Sequence, residues 1–284
     1  MRLAKSFWTL ILLASAVDAS TPCIRNPKIT SELIHQAESG DAEAQYELGR
    51  AYERSTHHHA RDYAVTNAAL SQSVFWWSKA AAQGHAKAQF ELGMAYHSGR
   101  GTRGDLAVAE YWWRKAADQG EVRAQFWLGL INEDHYSQKR QRQNYPEALK
   151  WLRLAARQDD ADAENALGRM YENGEGVPQD YAVAAKWYLK AAEHVPDYGA
   201  AGEAQNNLGL LYYSGRGVPQ DYVMAYMYFA LTPEMNSLEQ VANRMSQAQI
   251  AEAQRRTKQW IRDHPPHPLC TPNTPIPEIR DIPG

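Results

Sequence analysis

The sequence predicts an all-α solenoid of about five helix-turn-helix repeats. The first observation is a recurring phrase: Ala, three residues, Leu-Gly, two residues, usually Tyr. It occurs as Ala44…Leu48-Gly49…Tyr52, Ala88…Leu92-Gly93…Tyr96, Ala124…Leu128-Gly129, Ala163…Leu167-Gly168…Tyr171 and Ala204…Leu208-Gly209…Tyr212. The second is its spacing. Successive Leu-Gly pairs lie 44, 36, 39 and 41 residues apart, and a fixed phrase at a period of a few tens of residues marks stacked repeats. The third is a second apolar stripe after each phrase, ending in Ala-Ala or its equivalent. A stacked array holds a long surface open to solvent, which points to binding rather than chemistry.

The elements follow in chain order. Residues 1–19 read as a cleavable secretory signal. Arg2 and Lys5 give a positive start, Phe7 to Val17 an apolar core, and Val17-Asp18-Ala19 a cleavage site after Ala19. That core falls short of the roughly 20 residues a spanning helix needs; an uncleaved anchor is the alternative. Ser20-Thr21-Pro22 before Cys23 is a poor lipidation box. No later segment is apolar enough to span, so the expected mature protein is soluble and periplasmic. Removing Arg2, Lys5 and Asp18 moves the formal charge from −3 to −4, with 28 cations against 32 anions. That mild acidity argues against nucleic acid as a partner, which needs a basic face. The short run Lys139-Arg140-Gln141-Arg142 reads as solvated surface.

Residues 20–40 form a lead-in and a first helix, and residues 41–231 the five repeats. Within each repeat the Ala, Leu and Tyr positions lie on one helical stripe. In this first helix, helix A, the small Ala and Gly admit a neighbouring helix. The loop that follows is clearest as Gly174-Glu175-Gly176-Val177-Pro178-Gln179-Asp180 and Gly215-Arg216-Gly217-Val218-Pro219-Gln220-Asp221. Its first Gly suits a left-handed helix end, Val dips toward the core, and Asp caps the next helix. Helix B carries Trp76, Trp112, Trp151 and Trp187 at matching distances before the Ala-Ala pairs. The spacing assigns these four as core wedges rather than a stacking platform. Extra residues fall around 55–66, 134–144 and 194–202. Residues 232–263 form capping helices that cover the last repeat, with Ser246 and Gln249 placed as a capping box. Residues 264–284 are proline-rich and expected to be extended.

The phrase, the Gly-x-Gly-Val-Pro-Gln-Asp-Tyr loop and the Ala…Trp-x-x-x-Ala-Ala stripe together resemble the Sel-one-like repeat family, a relative of the tetratricopeptide repeat. Repeat five departs from it, with Tyr228 at the helix B Trp position. The resemblance implies a right-handed superhelix of antiparallel helix pairs. It implies adaptors and regulators, in bacteria often periplasmic, some of them immunity proteins against secreted lipase effectors. A cysteine-rich branch linked to β-lactam binding does not fit, because the repeats here contain no cysteine.

Candidate sites are few. If helix A lines the concave side, its positions 3 and 6 after each Ala face the groove. Position 3 holds Glu47, Glu91, Trp127, Ala166 and Asn207; position 6 holds Arg50, Met94, Leu130, Arg169 and Leu210. That groove is charged at its start and apolar in the middle, where Met94, Trp127 and Leu130 would form a binding hot spot. Alternatively, Trp127 packs on the next repeat or under the repeat-three insertion. His57-His58-His59 in the repeat-one insertion is a weak metal candidate, since imidazole suits zinc, copper and nickel. A solvated loop is its plain alternative. Cys23 and Cys270 flank the repeats; export permits a disulfide between them, and two free thiols or an interchain bridge are the other outcomes.

No nucleophile elbow, Walker-type phosphate loop or His-Glu-x-x-His is present in the sequence, and no cofactor is expected. Asp159, Asp160 and Asp162 meet a helix N-terminus and lack the regular oxygen ligands of a calcium loop. The expected function is a periplasmic, non-catalytic protein-interaction solenoid, with an immunity or regulatory role toward one envelope partner as its more specific form. An envelope-assembly scaffold and a cell-envelope hydrolase are the alternatives.

Overall fold

Helix propensity is local, but a short amphipathic helix persists only where its apolar stripe is covered. In the computed structural model that cover comes mostly from neighbouring helices along the chain. The structure describes residues 29–56, 63–133, 144–194, 200–232 and 235–264. Thirteen helices lie among them: α1 Ser31–Glu38, α2 Ala42–Ser55, α3 Tyr63–Ala82, α4 Ala86–Ser98, α5 Leu106–Asp118, α6 Val122–Glu133, α7 Tyr145–Ala156, α8 Ala161–Asn173, α9 Tyr181–Ala192, α10 Ala200–Ser214, α11 Tyr222–Ala230, α12 Met235–Ala242 and α13 Gln247–Asp263. Helix A of the five repeats is α2, α4, α6, α8 and α10; helix B is α3, α5, α7, α9 and α11. The all-helical, stacked-pair class predicted from the phrase is the one observed. The predicted signal, the His57-His58-His59 cluster, Cys23, Cys270 and the proline-rich tail lie outside the described residues.

The chain divides into two compact units, Met1–Ile131 and Asn132–Gly284. In the first, α1 packs on α2, α2 on α3, α3 on α4 and α4 on α5. One core cluster joins Ala37, Ala44, Leu48 and Trp76. The next joins Tyr46, Trp77, Ala80, Ala81, Ala88, Leu92 and Ala95. In the second unit, α7 packs on α8, α8 on α9, α9 on α10 and α10 on α11. There α12 and α13 both pack on α11. Val241 and Ala253 thereby close a core with Ala225, Tyr226 and Phe229.

The Gly of four of the Leu-Gly pairs is an aromatic seat. A methyl group on Gly49 would stand 2.5 Å from the Trp77 indole. Gly93 faces Trp113, Gly168 faces Tyr188 and Gly209 faces Phe229 in the same way. Trp112 packs against the Tyr46–Trp77 cluster, as a wedge would, but neither it nor Trp187 fills a glycine seat. Both are only partly buried; the residue one step later fills the seat. Trp76 and Trp151 are buried as expected. Successive helical residues point about 100° apart, so Trp76 reaches back toward α1 and α2 while Trp77 reaches forward toward α4.

The loops behave as their residues dictate. Gly99 and Gly174 end α4 and α8 in the left-handed region, at φ 68° and 74°. Asp105, Asp180 and Asp221 then cap α5, α9 and α11, each accepting from two free backbone N–H groups. Ser246 and Gln249 form the reciprocal capping box at α13.

Candidate functional site

In the first unit the helix A face carries three arginine–glutamate pairs. Arg50 Nη1 donates to Glu47 Oε1 at 2.9 Å on α2. Arg123 Nη1, from α6, donates to Glu91 Oε1 of α4 at 3.1 Å. Arg100 Nη1 lies 3.6 Å from Glu53 Oε1. The acids lie deeper than the bases: side-chain exposure is 17% for Glu91 and 60% for Arg123. Each guanidinium has five N–H donors, so single-contact pairing leaves donors for another acceptor. The arginines also ride on aromatic rings, Arg50 5.5 Å from the Tyr46 centroid and Arg123 4.2 Å from that of Phe90. Burial raises the Glu91 carboxyl above the ordinary carboxylate range, against the pull of Arg123. Burial likewise pushes the Tyr46 phenol up to about 12.

Beside these pairs lies an aromatic stack. Trp127 on α6 stacks on Trp113 at 5.3 Å between centroids and lies 5.1 Å from His97. Trp113 in turn donates its Nε1–H to the Phe90 carbonyl at 3.3 Å. Trp127 therefore packs on the preceding repeat. It is partly buried, as are Met94 and Leu130.

The second unit treats the same positions differently. Arg169 grips Glu133 through both carboxylate oxygens, at 3.0 and 2.9 Å from Nη2, and the Glu133 side chain is fully buried. Burial alone would lower the Arg169 guanidinium, yet the Glu133 carboxylate holds it above its ordinary value. Arg169 is thus a structural tie. Ala166 is buried rather than facing a groove, and Asn207 donates to Asn165 at 3.2 Å. Leu210 stands 46% exposed.

Glu53, Arg100, Arg123, His97 and Trp113 escaped the reading by positions 3 and 6. They reach the face from other registers, and no periodic phrase marks them. An open polar cleft of about 300 Å³, lined by Glu43, His85, Ala86, Lys87, Gln119, Gly120 and Glu121, lies at the N-terminal ends of helix A. In it His85 Nδ1 accepts from the Ala88 N–H, so the imidazole caps α4 where other repeats use Asp. Among the described residues, no group of three His, Cys, Asp or Glu is placed to hold a metal ion, and no helix is long and apolar enough to cross a membrane.

Comparison with known proteins agrees with this geometry. The Sel1 repeat model matches residues 42–85, 86–121, 122–160, 161–194 and 202–231. A solved Sel1 repeat protein from Oxalobacter formigenes is 28% identical with a TM-score of 0.60, over 79% of this chain and 83% of that one. A protective antigen present in uropathogenic Escherichia coli strains, displaying an SLR fold, is 25% identical with a TM-score of 0.51, over 90% of this chain and 61% of that one. A chitin synthase regulator, SKT5, from Malassezia restricta is 46% identical over 52 residues, which are 18% of this chain and 4% of that protein. Sel1 repeats mediate protein–protein interaction and are generally non-catalytic. Five matched repeats, with four Gly–aromatic seats among the described residues, place the chain in the Sel1 repeat family.

Proposed function

We propose that this protein is a periplasmic, non-catalytic binding solenoid. It takes one protein partner on the helix A face of its first unit and acts as an immunity or regulatory protein toward it. The observation that carries this is the layered face itself. Partly buried Trp127, Met94 and Leu130 supply apolar contact, and Arg50, Arg100 and Arg123 sit outward of Glu47, Glu53 and Glu91. An aromatic anchor rimmed by charge is the usual composition of an interface hot spot. The signal-like residues 1–19 support export, and the family resemblance supports the immunity form.

The test is capture of a partner from periplasmic extract by the mature protein, read by mass spectrometry. Leu130→Asp with Arg123→Glu alters the face and leaves the Trp113–Trp127 stack in place. Loss of the captured protein with unchanged helical CD supports the proposal; equal capture removes it. Mature protein beginning at Ser20 in the periplasmic fraction supports the compartment, and retention in the cytosol removes it. A regulatory scaffold for envelope assembly is the second reading, favoured by the short match to a chitin synthase regulator. A partner belonging to an envelope synthase, rather than to a secreted effector, would select it.

A further inference from the structure

Helix A carries Gln immediately after the repeat's Ala in four repeats, and each amide does one job. Gln45, Gln89 and Gln125 donate Nε2–H to the carbonyls of Ala37, Ala81 and Ala117, at 3.0, 3.1 and 3.2 Å. Gln205 does the same to Ala192 at 3.4 Å. Each ties helix A to the end of the preceding helix. A second Gln, at the end of helix B, closes the joint: Gln83 donates to Gln45 and Gln119 to Gln89, both at 2.8 Å. The turn between contains a left-handed Gly, with Gly40, Gly84 and Gly120 at φ 104°, 91° and 91°.

Repeat four changes every one of these positions to an ionisable residue. Glu164 replaces the first Gln, His194 the second, and Asp159 sits at φ 59° in place of the Gly. A carboxylate cannot donate to the Ala156 carbonyl. Lys190 Nζ does so instead, at 3.1 Å, and lies 2.9 Å from Asp159 Oδ1 and 2.7 Å from Glu164 Oε1. The equivalent Lys79 and Lys115 turn outward, over the rings of Phe75 and Tyr111. His194 Nε2 reaches Glu164 Oε2 at 3.2 Å. The Glu164 side chain is fully buried, yet neither of its oxygens has a well-aligned hydrogen bond.

We propose that the joint of α7, α8 and α9 is a proton-responsive clasp, tightened by mild acid, where the joint of α1, α2 and α3 is held by neutral glutamines. With the imidazole neutral, two carboxylates face one ammonium. One proton taken up within the cluster removes the excess negative charge. The groups facing Glu164 are Lys190 and His194 from α9 and its end, and Asp159 from the turn before α8. Its neighbour on α8, Asn165, donates to Glu203 on α10, and α7 supplies the Ala156 carbonyl.

The sign follows from linkage. Burial raises the Glu164 carboxyl, against the pull of Lys190 and His194. The folded joint therefore binds this proton more tightly than the unfolded chain does. Its contribution is full below the unfolded carboxylate range and is lost as pH rises through the folded value. Asp159 has the opposite sign: its hydrogen bond from Lys190 lowers it. Its contribution fades only as pH falls below the ordinary carboxylate range, about 4, so the clasp tightens in the window above that.

Amide hydrogen exchange of the mature protein, corrected for intrinsic rates between pH 8 and pH 5, tests this, with α2–α3 as the internal control. The expected result is an opening equilibrium for α8–α9 that falls about three- to tenfold toward pH 5, with α2–α3 flat. In Glu164→Gln with His194→Gln, which recreates the Gln89–Gln119 arrangement, the α8–α9 dependence should vanish. A wild-type α8–α9 segment as flat as α2–α3, or a dependence that persists in the double variant, overturns the proposal. Should the double variant lose its helical CD, the wild-type comparison of the two segments decides alone.

Discussion

At the residue scale the fold depends on glycines with no room beside them. Gly93 faces the Trp113 indole, which is itself fully buried. Gly93→Ala should cost about 1–3 kcal/mol through overpacking, read as a lower urea midpoint with an unchanged slope. Gly84 is a different case: nothing lies within 4 Å, but its φ is +91°. Gly84→Ala should cost about 1–2 kcal/mol, from backbone strain alone. The two substitutions separate space from conformation in one helix pair. The repeated Leu-Gly made Gly93 and its counterparts legible in the sequence. Which ring meets Gly93 or Gly168 was not legible, because local spacing does not say which of two adjacent aromatics faces the glycine.

At the element scale, caps and ties hold each helix to its neighbour. Asp180 accepts from the N–H groups of Ala182 and Val183 at 2.9 and 3.0 Å. Asp180→Ala should cost about 1 kcal/mol, and Asp180→Asn should restore most of it. The Arg169–Glu133 tie joins α8 to the end of α6, and its acid is fully buried while the guanidinium is 34% exposed. Arg169→Met should cost about 2 kcal/mol. That is below the usual value for breaking a buried pair, because solvent already screens the arginine. Adding Glu133→Gln should recover part of the loss in a double-mutant cycle. The caps were readable from Gly-x-Gly-Val-Pro-Gln-Asp. The tie was not: Arg169 looked like a groove residue, and its partner lies 36 residues away.

At the scale of the whole molecule, a stack of repeats needs an end that water can tolerate. Here α12 and α13 supply it in the second unit, burying Val241 and Ala253 against Ala225, Tyr226 and Phe229. Deleting residues 235–264 should expose that core. The truncated protein should be cut by protease within α10–α11 at concentrations that leave the full chain intact, and it should bind a hydrophobic dye. The sequence by itself determined the class, the repeat number, the loop chemistry and the cap. All of these follow from residue spacing within one helix pair, which is local information. The tertiary structure decided which aromatic enters each glycine seat and which arginine is a tie rather than a contact. It also decided that Asp159, Glu164, Lys190 and His194 meet at one joint. These depend on how one helix docks on another, and residues some thirty positions apart come together only once that docking is made.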